Sequence, residues 1–248
     1  MTEPASVDIR DYAAAIFDMD GVVTRTATVH ARAWKEMFDA FLRERAEARG
    51  EAFEPFDAEA DYLAHVDGLP RQDGVRQFLA ARGIELPEGA DDDPPERDTI
   101  HGLGSRKDAL IQQILERDGV ELFPDWLERV QAWRAAGVRT AIVSSSRNCA
   151  RMIAAAGVEH LFDARVDGEV ARELALPGKP APDLFIEAAR RLDVPPERCA
   201  VFEDAISGVQ AGAAGPFGLV VGVARLDNRQ SLLDHGADIA VSALTELP

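Results

Sequence analysis

The chain has 248 residues, enough for one large domain or two modest ones, and its 46% hydrophobic content can bury a real core, which removes disorder as the default reading. Its 27 Lys and Arg against 44 Asp and Glu leave a formal charge of -17, a field that repels phosphate backbones and anionic membranes and excludes nucleic acid and membrane as expected partners. An anionic small molecule fits only where a cation and a few basic side chains reverse that field locally.

In chain order, Met1 to Asp11 is polar and acidic without a basic-then-apolar targeting pattern, and nowhere do about 20 apolar residues run together as a membrane span needs. A soluble, cytoplasmic protein is expected. Ala13 to Phe17 is a continuous apolar run that ends on Asp18 and is followed by Gly21, which predicts a buried strand delivering its next residues into a turn. From about Ala27 to Asp118 the character changes. Amphipathic segments at His30 to Arg45, Ala58 to His65, Gly74 to Arg82 and Lys107 to Glu116 predict helices, so an all-helical insert after the first strand is expected. Within it, Glu88 to Asp98 (EGADDDPPERD) reads as a solvated loop, because the like charges of Asp91 to Asp93 have no enforced metal-binding geometry.

Beyond the insert, Trp126, Leu127, Val130 and Trp133 recur at helical spacing, as do Leu184, Phe185, Ala188, Ala189 and Leu192. Thr140 to Val143 is a second apolar run, ending on Ser144. Cys199 to Phe202 ends on Glu203 and Asp204, and Leu219 to Val223 follows Gly218. Strands alternating with helices predict an α/β fold, a parallel sheet covered by helices on both faces. The expected division is a core from residues 1–26 and 119–248 and a helical domain from 27–118. Cys149 and Cys199, far apart in sequence, are read as buried small apolar residues in a reducing compartment rather than a disulfide.

Open parallel sheets bind ligands beyond the carboxyl ends of their strands, so the polar residues directly after the apolar runs are the candidates. Asp18 and Asp20, in Phe17-Asp18-Met19-Asp20-Gly21, place two carboxylates where both can project into one cleft; alone, the pair serves a turn or helix cap as readily. Ser144 can donate to a phosphoryl oxygen or cap a helix. Glu203 and Asp204 bring the carboxylates to four, which repel one another unless a cation sits among them, and an all-oxygen set with open positions favours Mg2+. Lys179, in Pro177-Gly178-Lys179-Pro180, can neutralise both a carboxylate and a phosphoryl group.

Phe17 to Thr24, then Ser144, Lys179 with Pro180-Ala181-Pro182-Asp183, and Glu203-Asp204 with Ser207-Gly208-Val209-Gln210-Ala211-Gly212, in that order, resemble the haloacid dehalogenase (HAD) superfamily. Within it the chain is most similar to the beta-phosphoglucomutase-like subfamily, whose helical cap is inserted after the first strand of a Rossmann-like core. The resemblance implies that Asp18 becomes an aspartyl phosphate and that Asp20 is the general acid/base. It assigns magnesium to Asp18, the carbonyl of Asp20, and Asp204, with Glu203 close by, and gives the transferring phosphoryl group to Ser144 and Lys179. Thr26, His30, Trp34, Arg71 and Lys107, with Ser146, Arg147 and Asn148, fall on positions that shape a sugar-phosphate site, Arg71 gripping the second phosphate. Arg147 stands where a lysine is usual, and Arg25 replaces an acidic residue before Thr26. The cap is longer than in compact mutases, around Glu44 to Glu59 and near Asp92.

The implied activity is interconversion of beta-glucose 1-phosphate and glucose 6-phosphate by a monomer acting on a hexose phosphate. The alternative is a phosphatase in which water accepts the phosphoryl group. Dehalogenation does not call for Asp20 or the magnesium carboxylates. A catalytically silent binding module would be expected to have lost one of Asp18, Asp20, Ser144, Lys179 or Asp204, and all are present.

Overall fold

The protein is described here from a computed structural model covering residues 7–248; residues 1–6 of the polar N-terminal stretch lie outside the described residues. The chain divides into two compact units, one formed before Thr26 and after Gly119, the other Thr26–Gly119 itself. Strand β1 (Ala14–Asp18) is followed by four helices, α1 (Ala27–Arg49), α2 (Ala60–His65), α3 (Arg71–Ala81) and α4 (Ile100–Asp118). Alternation then resumes with α5 (Pro124–Ala135), β2 (Arg139–Val143), α6 (Cys149–Ala155), β3 (Ala164–Val166), α7 (Gly168–Glu173) and α8 (Asp183–Arg191). It ends with β4 (Cys199–Glu203), α9 (Ile206–Ala214), β5 (Leu219–Val223), α10 (Arg229–Asp234) and β6 (Ile239–Val241).

The first unit is a six-stranded sheet in the order β3-β2-β1-β4-β5-β6, parallel throughout. All of β1, β4 and β5 is buried, as expected of strands with helices on both faces. One face packs α8 through Leu184, Phe185, Ala188 and Ala189 against Ile16, Val143 and Val201. Rings occupy the other: Phe17 stacks on Phe202 at 4.8 Å and meets Trp126 edge-on at 6.0 Å, fastening β1 to β4 and α5. The chain winds outward from β1 to β3 and then returns to β4 on the other side of β1. Strand order reverses between β1 and β4, the position at whose carboxyl ends open parallel sheets bind their ligands.

In the helical unit α1 packs against α4 and α3 against α4, around Phe38, Phe56 and Phe78; Phe38 lies 4.1 Å from Phe78 and 5.2 Å from Phe56. Helix α1 stops at Gly50, whose φ of +66 ends it in the left-handed conformation. The Glu88–Asp98 stretch is irregular as expected, yet it is not all solvated. Asp93 is 4% exposed. It accepts from the Thr99 hydroxyl (2.7 Å) and the Ala90 N–H (3.2 Å) and pairs with Arg97 at 2.9 Å, so it organises the loop from inside.

Four strands coincide within a residue with the apolar runs. Strands β3 and β6 and helices α6, α7, α9 and α10 went unread. Cys149 and Cys199 are both buried free thiols, with burial pushing Cys149 well up and Cys199 up to about 12. No helix among the described residues is long and apolar enough to cross a membrane.

Candidate active site

Asp18 is the last residue of β1 and only 6% exposed. The chain then turns tightly: the Thr24 amide and hydroxyl both donate to the Met19 carbonyl (2.9 and 3.1 Å), and the Gly21 N–H donates to the Thr24 carbonyl at 2.9 Å. Gly21 has φ +86, and a Cβ there would lie 1.8 Å from Asp204 Oδ2. Glycine is thus required twice over, by the backbone and by the carboxylate lying against its Cα. This turn holds Asp20 two residues beyond Asp18, paired by a bridge to Thr24.

Lys179, 3% exposed, follows Gly178 and is joined to Pro180 by a cis peptide bond. Its ammonium donates to Asp18 Oδ1 and Glu203 Oε1. Glu203, 0% exposed, turns its other oxygen to the Ala205 N–H at 2.9 Å, and its side chain lies against the bare Cα of Gly208 in α9. Glu203, expected beside the cation, meets Lys179 with one oxygen and the Ala205 N–H with the other, so it also helps hold the lysine in place. Burial opposes the Lys179 charge, but Asp18 and Glu203 outweigh it and hold the ammonium above its ordinary pKa. Burial pushes the Asp18 carboxyl well above its ordinary value, Lys179 pulls against this, and the charges of Glu203 and Asp20 add to the rise.

Ser144, at the end of β2, is 1% exposed, and its hydroxyl oxygen accepts the Ser146 N–H at 3.0 Å. Ser146 repeats the pattern, accepting the Asn148 N–H at 3.1 Å. Two nested serine turns therefore shape the loop before α6, and the Ser144 hydroxyl retains its proton for donation. Asn148 is buried at the start of α6. Arg147 pairs with Glu169 at the start of α7.

The candidates in the helical unit gather among themselves. Lys107 Nζ lies 2.9 Å from His30 Nδ1 and 4.9 Å over the Trp34 ring. Trp34 in turn packs against Gly74, where a Cβ would meet the indole at 3.2 Å. Arg71 borders Gly104, pairs with Asp108 at 2.8 Å, and keeps its buried Nε without a hydrogen-bond partner. Thr26, 1% exposed, accepts the His30 N–H on its carbonyl at 2.8 Å.

Asp18, Glu203 and Asp204 each present one carboxylate oxygen to a group whose members lie within 4.8 Å of one another, among the described residues the set that could hold a metal ion. Three carboxylates against one ammonium leave surplus negative charge at the strand ends. A hard divalent cation fits that donor set. Arg225, after β5, escaped the sequence reading: it donates to the Gly21 carbonyl at 3.2 Å. The rule applied to the other strand ends, that the first polar side chain past an apolar run is the one to inspect, would have found it.

A family model described as haloacid dehalogenase-like hydrolase matches residues 12–215. The chain is 49% identical over 237 residues to a beta-phosphoglucomutase of Mycobacterium tuberculosis (strain CDC 1551 / Oshkosh), covering 94% of this chain and 90% of that one. It is 33% identical over 206 residues to a fructose-1-phosphate phosphatase of Escherichia coli (strain K12), covering 82% and 92%. A crystal structure of a beta-phosphoglucomutase from Clostridium difficile superposes with a TM-score of 0.74 at 21% identity, over 96% of this chain and 93% of that one, which speaks to the fold.

Proposed function

The chain belongs to the haloacid dehalogenase-like hydrolases, and on that premise we propose that it interconverts beta-glucose 1-phosphate and glucose 6-phosphate through a phosphoryl group carried on Asp18. The observation that carries this reading is the 49% identity to a beta-phosphoglucomutase across nearly the full length of both chains. The buried Asp18, Lys179 and Glu203 group is the chemistry expected beneath it.

In the first half-reaction an Asp18 oxygen attacks phosphorus in line with the ester bond, which breaks as the new P–O bond forms, and Asp20 gives its proton to the departing sugar oxygen. In the second, Asp20 takes the proton of the accepting hydroxyl as that oxygen attacks the aspartyl phosphate. Lys179 and Ser144 hold the equatorial oxygens throughout, and Glu203 keeps the ammonium where those oxygens arrive. Magnesium, held by Asp18, the Asp20 carbonyl and Asp204 with Glu203 beside them, would supply neutralising charge for the phosphoryl oxygens.

Mutase chemistry through a bisphosphate needs a second anion grip. We assign it to Arg71, Lys107 and His30 of the helical unit, which serves as the cap over residues 27–118, with Thr26, Trp34, Ser146, Arg147 and Asn148 shaping the sugar site. The protein works on this reading as a cytoplasmic monomer without nucleic acid or membrane. A phosphatase using the same Asp18 and Asp20 is the second reading, favoured by the 33% identity to a fructose-1-phosphate phosphatase. Incubation with beta-glucose 1-phosphate, magnesium and a bisphosphate primer separates them. Glucose 6-phosphate is the expected product; free phosphate without isomerisation would overturn the mutase reading.

A further inference from the structure

The loop after β5 touches the segments that follow β1 and β4, which carry the candidate site. Arg225, its side chain 13% exposed, donates through Nε to the Gly21 carbonyl at 3.2 Å. Three residues on, Asn228 Nδ2 donates to the Asp204 carbonyl at 3.4 Å. Gly21 and Asp204 are themselves in contact, the carboxylate occupying the space where a Cβ would be. One loop thereby fixes the backbone beside Asp20 and the backbone of a cation-site carboxylate.

Arg225 is in turn fixed from several directions. Nη1 pairs with Asp125 at 2.9 Å and donates to the Ser242 carbonyl at 3.2 Å. The guanidinium lies 3.8 Å from the Phe123 ring centroid, and buried Nη2 has no hydrogen-bond partner, as a group held flat against a ring tolerates. Asp125 also accepts the Leu244 N–H at 2.7 Å. Phe123 donates its N–H to the Val23 carbonyl at 3.0 Å, two residues past Gly21, and carries Arg25 at 5.0 Å from its centroid. Such an arrangement exceeds what a surface ion pair needs. Held by Asp125, Phe123 and the Ser242 carbonyl, Arg225 in turn locates the carbonyl of the residue after Asp20.

We propose that Arg225 is a positioning residue for phosphoryl transfer, holding the Gly21 carbonyl so that Asp20 meets the oxygen leaving phosphorus. The inference rests on the Asp18 and Asp20 assignment above. Its signature lies in the leaving group. When an alkyl phosphate reacts, the ester P–O bond breaks, the Asp18–phosphorus bond forms, and the sugar oxygen must take the Asp20 proton. An aryl oxide leaves without that proton.

Arg225→Met keeps the stem on Phe123 and removes the donors; Arg225→Lys restores one donor. For each, kcat/KM for phosphorylation of Asp18 is measured with glucose 1,6-bisphosphate and with p-nitrophenyl phosphate, following the released alcohol. Arg225→Met is expected to lose about 100-fold on the bisphosphate and roughly 3-fold or less on the aryl ester, with Arg225→Lys between it and the wild type. Equal losses on both donors, or none, overturn the positioning role and leave the Asp18 reading intact. If Arg225→Met does not fold, the same comparison on Arg225→Lys decides the matter. Wild-type protein that transfers phosphate from neither donor, indistinguishable from Asp18→Ala, overturns the parent reading and this inference with it.

Discussion

Gly208 sits in the first turns of α9, where helix propensity alone says that Gly208→Ala should stabilise the protein by about 1 kcal/mol. The structure predicts the reverse. A Cβ at that position would lie 1.7 Å from Glu203 Oε1 and 1.9 Å from Cδ, when ordinary contact begins near 3.4 Å. Glu203 has nowhere to yield: it is 0% exposed, with one oxygen on Lys179 and the other on the Ala205 N–H at 2.9 Å. Displacing it leaves Lys179 and Asp18 imperfectly paired in a buried space, a disruption of about 3–5 kcal/mol. The propensity gain offsets only part, so Gly208→Ala is expected to destabilise by about 2–4 kcal/mol. At about 2–4 °C per kcal/mol for a chain of this size, Tm falls by roughly 5–15 °C. Scanning calorimetry reads the shift, and phosphate transfer should fall with it as the ammonium loses its fixed place. A variant as stable as the wild type, with transfer intact, would refute the wedging of Glu203 against α9 and the account of Lys179 built on it.

Asp18→Ala should abolish transfer while leaving the circular dichroism spectrum unchanged, and turnover that survives would remove the nucleophile assignment. Arg71→Ala should raise KM for a sugar bisphosphate by roughly 10- to 100-fold while leaving an aryl phosphate nearly unaffected; equal effects would argue against a distal phosphate grip. Arg190, then burial working the other way, then Arg191 set the Glu187 carboxyl, which ends down at about 2 from an ordinary 4.5. Its contribution is therefore complete above the ordinary value and lost as pH falls toward 2. Glu187→Gln should destabilise by about 1–2 kcal/mol at pH 7, allowing for the exposure of Arg190, and by progressively less in urea titrations between pH 4.5 and 2. A difference independent of pH would remove the ion pairs as its cause.

The strands that were legible, at Ala14, Thr140, Cys199 and Leu219, are the ones buried on both faces, so their sequence is a continuous apolar run. Ala164–Val166 and Ile239–Val241 are three residues each at the sheet edges, and Arg165 breaks the first. Helix α9 is apolar nearly all round and carries Gly208 and Gly212, so it has no polar face to betray its period. Asp18, Glu203 and Asp204 were visible because parallel strands export their next residues to a shared edge, whereas Lys179, between α7 and α8, was marked by its Pro177-Gly178-Lys179-Pro180 setting. The division of labour among them was not. Glu203 and Asp204 are adjacent and chemically alike, and only folding shows that one meets Lys179 and the Ala205 N–H while the other lies against Gly21. Asp93 illustrates the converse: three aspartates in a row look interchangeable, yet one is buried beneath its own loop.

The placement of β1 also has a consequence for synthesis. It is the third strand from the β3 edge, flanked by β2 and β4, and its apolar residues leave the ribosome long before either neighbour. At about 5–20 residues per second, the roughly 180 residues between Asp18 and Cys199 take on the order of 10–40 s to emerge. Until β2 emerges, roughly 120 residues after Asp18, the strand has neither neighbour, and until β4 emerges one of its edges stays open, while the intervening helices, rich in short-range contacts, can already condense. Production yield should then depend on how the cell shelters the first 20 residues, a vulnerability that belongs to the order of translation and leaves no trace in the finished enzyme.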